Sequence, residues 1–256
     1  MGVAKSGKNI MSNENLQNTL HKNLSFTAIE QYKLLRTNIQ FMIPDDIKCP
    51  VIGVTSAIRH EGKSTTAVNL SYVLAEQGSK VLLIDGDLRI PSVAKKLGIK
   101  GNVGLSDMMV SKDHKLGCFP SGLLPNWYIL PAGSIPPNPS ELLGSSRMEA
   151  VLNSLRERFD YIVIDLPPVN IVSDALSVSK FLTGMIVVVR EGYSKKRELD
   201  QCIRQIQIAN VKVLGMVLNG ADYGGGSYGR YKKYRYYRYY RYYRYEKYYH
   251  NEGGTK

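Results

Sequence analysis

The chain has 256 residues, of which 43% are apolar, and its 34 Lys and Arg against 22 Asp and Glu give a formal net charge of +12. This length and apolar content suit one large domain with appendages. No uninterrupted apolar run approaches the roughly 18 residues that a membrane span needs, so we expect a soluble protein. Three widely spaced cysteines, Cys49, Cys118 and Cys202, exclude a disulfide framework and favour a reducing, cytoplasmic setting.

Tyrosine and positive charge are concentrated at the C-terminal end. Thirteen of the 18 tyrosines lie between positions 223 and 249, and residues 223–256 carry nine Lys and Arg against two Asp and Glu. Residues 1–25 are rich in Asn, Lys and Ser and have no apolar period. We therefore divide the chain into a flexible lead-in (1–25), a globular domain (26–222) and a basic, tyrosine-rich tail (223–256).

The globular domain begins with a predicted amphipathic helix that starts after Ser25 or Thr27 and ends before Pro44. Its apolar residues recur at three- and four-residue spacing: Ile29, Tyr32, Leu35 and Ile39. Its other face carries Glu30, Lys33 and Arg36.

Short β-branched runs then alternate with helical stretches. Strands are predicted at 51–55, 81–85, 127–130, 161–165, 185–189 and 213–218. Helices are predicted at 63–77, 92–97, 140–143, 147–158, 174–181 and 196–209. This alternation predicts one doubly wound α/β domain with a mostly parallel sheet. Its binding crevice should lie beyond the carboxyl ends of the strands.

A phosphate-binding loop follows the first predicted strand. Ala57, four further residues and then Gly62-Lys63-Ser64 fit the Walker A spacing in its Ala-for-Gly form, between a strand and a helix. Gly62 allows close backbone approach, Lys63 reaches the β- and γ-phosphates, and Ser64 ligates Mg²⁺. The predicted nucleotide-binding residues are Ala57, Glu61, Gly62, Lys63, Ser64 and Thr65.

Acidic residues end two more strands. Asp85 and Asp87 follow the second strand, and Asp165 ends a strand of Walker B type, where a carboxylate holds the metal or its water. One such Asp often serves only as the N-cap of the next helix. Three carboxylates and a lysine at one sheet edge favour a catalytic site instead. The predicted Mg²⁺ ligands are Ser64, Asp87 and Asp165.

These three motifs together resemble the deviant Walker ATPases, and more closely the bacterial protein-tyrosine kinases (BY-kinases) of capsule and exopolysaccharide production. Walker A, A′ and B are matched by 57–65, 81–87 and 162–165, and the segment 131–143 is also similar to the family. The clustered tyrosines of the tail are typical of it. The resemblance implies an ATP- and Mg²⁺-dependent protein-tyrosine kinase with Lys63, Asp85, Asp87 and Asp165 as catalytic residues.

The resemblance also implies that the tail is phosphorylated between subunits. The predicted phosphoacceptors are Tyr228, Tyr231, Tyr234, Tyr236, Tyr237, Tyr239, Tyr240, Tyr242, Tyr243, Tyr245, Tyr248 and Tyr249. Either Asp85 or Asp87 would accept or orient the tyrosine hydroxyl proton. Asn219 is a candidate for adenine recognition by analogy with related ATPases, and a turn-forming Asn-Gly is the competing interpretation.

Partners follow from the same resemblance. The family's oligomerisation motif, Glu-x-x-Arg-x-x-Arg, is matched by Glu30, Lys33 and Arg36, and Lys33 replaces an arginine. It implies a homo-oligomer, in the family a ring, although i,i+3 pairs on a solvated helix face are the alternative. A membrane adaptor, encoded separately, would activate the kinase and recruit it to the inner face of the membrane. A tyrosine phosphatase would reverse the modification.

The tail repeats Arg-Tyr-Tyr over 235–245, after a glycine-rich stretch over 220–229. A period of three satisfies neither a helix nor a strand, so we expect disorder with a span of roughly 30 Å. About four phosphates would reverse its net charge of +7, which we interpret as a switch that loosens an assembly. The main alternative is a partitioning-type ATPase whose Arg/Tyr tail binds single-stranded nucleic acid. A tail for self-association is a third, and the kinase interpretation expects no nucleic acid.

Overall fold

A computed structural model describes residues 24–99, 103–111 and 118–221. Seven strands form one sheet: β1 (Val51–Ser56), β2 (Val81–Asp85), β3 (Phe119–Pro120), β4 (Trp127–Leu130), β5 (Tyr161–Asp165), β6 (Gly184–Arg190) and β7 (Val213–Asn219). Their spatial order is β3-β4-β2-β5-β1-β6-β7. All neighbouring pairs are parallel except β3 and β4. The predicted doubly wound, mostly parallel sheet is confirmed.

The described helices cover both faces of this sheet. They are α1 (Phe26–Met42), α2 (Lys63–Glu76), α3 (Val93–Lys96), α4 (Leu105–Val110), α5 (Pro139–Leu143), α6 (Ser146–Arg156), α7 (Asp174–Ser177) and α8 (Lys196–Ile208), with a 3₁₀ turn at Ser179–Phe181. None of them combines the length and apolar character that crossing a bilayer demands, within the described ranges.

Alternate residues of the central strands pack into two separate hydrophobic cores, one on each face of the sheet. Val81 and Leu83 of β2 pack with α1 and α2 on one face, whereas Leu82 and Ile84 pack with the later helices on the other. Every residue of β1 and β2 is buried, which accounts for their near-continuous apolar sequences. By contrast, β7 lies at the sheet edge and exposes Met216.

The sequence pattern gave wrong bounds for two helices and did not predict two short elements. The helix predicted over 174–181 is broken into α7 and a 3₁₀ turn, and the one predicted over 147–158 ends at Arg156. The short elements β3 and α4 had no sequence prediction, because two to six residues are too few to show a period.

The sheet places the predicted motifs at one edge. Register pairs Asp85, at the end of β2, directly with Asp165, at the end of β5, and β5 in turn lies beside β1. The loop after β1 therefore starts next to both carboxylates, at the carboxyl ends of the parallel strands, where open α/β sheets bind their ligands.

Candidate active site

The loop between β1 and α2 is shaped by one glycine. Gly62 has φ +99°, in the left-handed region, and a Cβ built there would lie 2.0 Å from Asn219 Nδ2. That amide nitrogen donates to the Glu61 carbonyl oxygen at 3.0 Å. Gly62 thus satisfies both the backbone conformation and the close approach of β7, and α2 begins immediately after it with its first N–H groups open to an anion.

The same loop is fastened to the segment after β6. The Glu61 side chain is buried, and its carboxylate accepts hydrogen bonds from the Ile58 N–H (2.8 Å) and from the Ser194 hydroxyl. Arg190 donates to the His60 carbonyl oxygen at 3.2 Å. Asn219 and the carboxylate of Glu61 therefore stabilise the loop between β1 and α2. That either residue also contacts the nucleotide stays a prediction.

Lys63 lies at the centre of the acidic groups. Its Nζ is 3.0 Å from Asp87 Oδ2, 3.5 Å from Asp165 Oδ1 and 3.4 Å from Ser64 Oγ. Burial alone would lower the pKa of Lys63, but the charges of Asp165 and Asp87 outweigh it and raise that pKa. The lysine is therefore a permanent cation.

Asp85 is fully buried and is held by the backbone. Its Oδ2 accepts from the N–H groups of Ser92 (3.0 Å) and Val93 (2.9 Å), and its Oδ1 accepts from the N–H of Asp87 (3.3 Å). Burial and then the neighbouring charge of Asp165 raise the pKa of Asp85 to about 7. Both oxygens of Asp85 are thus engaged in shaping the loop that carries Asp87.

Asp165 is the least satisfied of the three carboxylates. Both of its oxygens are buried, and neither accepts a hydrogen bond from the described part of the chain. Burial raises the pKa of Asp165, and the Lys63 ammonium only partly offsets this. One lysine faces three carboxylates, so a hard divalent cation fits the donor set of Asp165, Asp87 and Ser64.

Loops after β2, β4 and β5 meet beside Asp87. Arg89 forms a two-pronged ion pair with buried Asp174, at 2.8 Å and 3.0 Å. The Ser140 hydroxyl also donates to Asp174 and lies 3.0 Å from the Ser173 hydroxyl. Sequence reasoning missed this cluster. Arg89 lies two residues after Asp87 and was a visible signal, but no local pattern pairs it with Asp174.

The predicted oligomerisation residues lie on α1 and make contacts within the chain. Lys33 Nζ is 3.0 Å from Glu30 Oε1, and Arg36 donates to the Val73 carbonyl oxygen at 2.7 Å. Their role toward a second subunit stays a prediction. The predicted phosphoacceptor tyrosines, 228–249, lie outside the described residues.

The fold and this site define a P-loop nucleotide-binding protein of the deviant Walker type. A profile for an AAA domain matches residues 51–213. The chain is 36% identical over 191 residues to tyrosine-protein kinase YwqD of Bacillus subtilis, covering 75% of this chain and 80% of that protein. It is 31% identical over 211 residues to tyrosine-protein kinase CpsD of Streptococcus agalactiae, covering 78% and 85%. The chain belongs to the bacterial protein-tyrosine kinases and is an enzyme of that class.

Similar solved structures agree with this family assignment. The chimerical protein CapA2B2 shares 31% identity at a TM-score of 0.71, over 82% of this chain and 91% of that one. The kinase domain of the Escherichia coli tyrosine kinase ETK shares 29% at 0.71, over 82% and 88%. The septum site-determining protein MinD of Pyrococcus horikoshii, solved with Mg-ADP, is more distant, at 26% and 0.55 over 66% and 70%.

Proposed function

We propose that this kinase transfers the γ-phosphoryl group of ATP, with Mg²⁺, to tyrosines of its own C-terminal tail, from one subunit to another. The observation that carries the proposal is the position of Lys63, 3.0 Å and 3.5 Å from two buried carboxylates, one of which has no hydrogen-bond partner among the described residues. The twelve predicted phosphoacceptor tyrosines between 228 and 249 supply the acceptors.

In this proposal, ATP binds to the loop between β1 and α2 and to the first residues of α2. The N–H groups that open α2 would donate to the phosphates, and Lys63 would pair with the β- and γ-phosphate oxygens. Ser64, Asp87 and Asp165 would hold Mg²⁺, which neutralises charge on the β- and γ-phosphates when bound. Lys63 lies beside Asp87 and Asp165, and it would exchange its contacts with them for the phosphate oxygens when ATP and Mg²⁺ bind.

Asp87, and not Asp85, is the carboxylate that we place next to the incoming tyrosine. The oxygens of Asp85 already accept three backbone N–H bonds, whereas Asp87 Oδ2 faces Lys63 at the phosphate site. A carboxylate is a weak base for a phenol of pKa about 10, so Asp87 orients the hydroxyl more than it removes the proton beforehand.

The cellular role that fits is regulation of capsular or exopolysaccharide polymerisation and export. The support is the relatedness to proteins named CapB in Staphylococcus aureus and CpsD in Streptococcus pneumoniae, at 34% and 36% identity. A separate membrane adaptor that recruits and activates the kinase, which the family resemblance implies, is part of the same proposal. A homo-oligomer that phosphorylation loosens, and a phosphatase that restores it, complete this proposal.

The test is to incubate the purified protein with Mg²⁺ and γ-labelled ATP, with and without an adaptor fragment, and to map the label. A matched variant carries Phe for every tail Tyr, which keeps the charge and stacking of the tail but removes the acceptor hydroxyls. Label on 223–249 of the native chain and none on the Phe tail supports the proposal. ATP hydrolysis without tail label, together with binding of single-stranded nucleic acid by the tail, would favour the partitioning-type ATPase.

A further inference from the structure

Arg89 forms a rigid link from the Asp87 loop to the protein interior. Its Nε donates to Asp174 Oδ2 at 2.8 Å and its Nη2 donates to Oδ1 at 3.0 Å, while the side chain of Asp174 is fully buried. A planar guanidinium that meets both oxygens of a carboxylate is fixed in direction as well as in position.

Two hydroxyls extend this link to three loops. Ser140 donates to the same carboxylate and accepts from Arg89 at 3.4 Å, and it contacts Ser173. Arg89 follows β2, Ser140 lies in α5 after β4, and Asp174 begins α7 after β5. Movement of any one of these loops would therefore strain the ion pair.

A tight turn connects Arg89 to Asp87. Asp87 Oδ1 accepts the N–H of Ile90 at 3.1 Å, and the N–H of Asp87 donates to Asp85 at 3.3 Å. With these bonds, the remaining oxygen of Asp87 points to Lys63 at 3.0 Å. Anchoring the turn at Arg89 thus sets the direction of the Asp87 carboxylate.

We infer that Arg89 is a positioning residue for phosphoryl transfer, and that its ion pair with Asp174 holds Asp87 against Lys63. The inference rests on the proposed function of the site, because it assigns to Arg89 the alignment of a group that acts on phosphate. In the proposed function Lys63 and the α2 N–H groups bind ATP, whereas Arg89 donates to Asp174 and Ser140. Loss of Arg89 should therefore lower kcat while the KM for ATP changes little.

The expected size of the effect follows from the role of the ion pair as an outer support. Removing an outer partner that orients a ligating side chain reduces function on the order of 10- to 100-fold. Arg89→Gln should lower kcat by about that factor and leave the KM for ATP within roughly three-fold. Arg89→Lys keeps the charge but not the two-pronged geometry, so it should recover part of the activity.

The experiment compares these variants with Arg204→Gln, which removes an exposed arginine of α8. Release of ADP is followed alongside tail label, so that a failure of the proposed acceptor does not hide the result. Loss of native tail label with normal ADP release would count against the proposed function, not against Arg89. Arg89→Gln at native kcat, with only a lowered melting temperature, would make Arg89 structural and overturn the inference.

Asp174→Asn supplies a second route if Arg89→Gln does not fold, because it leaves no unpaired buried carboxylate. It should reproduce the fall in kcat. A double-mutant cycle with Asp87→Asn then separates positioning from general damage. If Arg89 acts through Asp87, adding Arg89→Gln to Asp87→Asn should lower ADP release no further. Additive losses would overturn the inference.

Discussion

Replacing Gly62 with alanine tests the local design of the phosphate loop. The new Cβ would lie 2.0 Å from Asn219 Nδ2, well inside van der Waals contact, at a residue with φ +99°. Asn219 must then move and release its 3.0 Å hydrogen bond to the Glu61 carbonyl oxygen. The substitution therefore combines backbone strain with the breaking of a hydrogen bond between the loop and β7.

The two costs can be estimated separately. An L-residue in the left-handed region costs about 1–2 kcal/mol, and a broken hydrogen bond costs about 1 kcal/mol. Gly62→Ala should therefore lower the free energy of unfolding by about 2–3 kcal/mol. Gly78→Ala is the matched control, because Gly78 has φ +107° but nothing within 4 Å of the added Cβ, so it should cost about 1–2 kcal/mol.

Urea denaturation measures both variants through the fluorescence of Trp127, the single tryptophan, which is fully buried. In an Asn219→Ala background, Gly62→Ala meets no side chain and breaks no hydrogen bond to Asn219. Its cost should then be the backbone strain only. Gly62→Ala could instead lower the free energy of unfolding by no more than Gly78→Ala does, and by the same amount with or without Asn219→Ala. The close approach of β7 would then not be the reason for a glycine at this position.

Three further outcomes are expected. Lys63→Met should reduce the rate of tail labelling by at least about 10²-fold, because it removes the cation aimed at the phosphates. Lys48→Met, at an exposed site, should label at the native rate. Equal labelling rates for the two variants would refute this role of Lys63. Cys202 should react slowly with a disulfide reagent at pH 8, because burial and then Glu61 raise its pKa to about 12. Since the thiol of the unfolded chain ionises first, the contribution of Cys202 to the free energy of unfolding should fall as pH rises above about 9. Rapid labelling of Cys202 itself in the folded protein, located by peptide mapping, would contradict the slow reaction, since Cys118 is only partly buried. Oligomer mass, measured by light scattering, should fall once about four tail tyrosines are phosphorylated, and unchanged mass would remove the charge-switch interpretation.

The sheet was predictable because its central strands are buried on both faces. Continuous β-branched runs such as Val51–Ser56 and Tyr161–Asp165, in a chain of alternating helices, are typical of parallel strands that helices cover. The parallel arrangement then requires Asp85 and Asp165 to end side by side, and the register pairs them. Local pattern plus one rule of topology therefore predicted the acidic edge of the site.

Contacts between distant loops were beyond this reasoning. Arg89 and Asp174 are 85 positions apart, and neither has a spacing that announces the other. Arg36 shows the same limit, since its position on the polar face of α1 predicts an exposed arginine, and its guanidinium instead reaches the Val73 carbonyl oxygen on α2. Such pairings depend on how helices and loops are placed over the sheet, which periodicity does not encode.

Transfer between subunits is the central claim, and one mixing experiment tests it most directly. The acceptor is the full-length Lys63→Met chain, and the donor is a native chain truncated after Asp222, which lacks the tail tyrosines. We predict that γ-labelled ATP labels tyrosines 223–249 of the acceptor only when donor is present. An unlabelled acceptor, beside a donor that phosphorylates a synthetic tyrosine polymer, would contradict transfer between subunits.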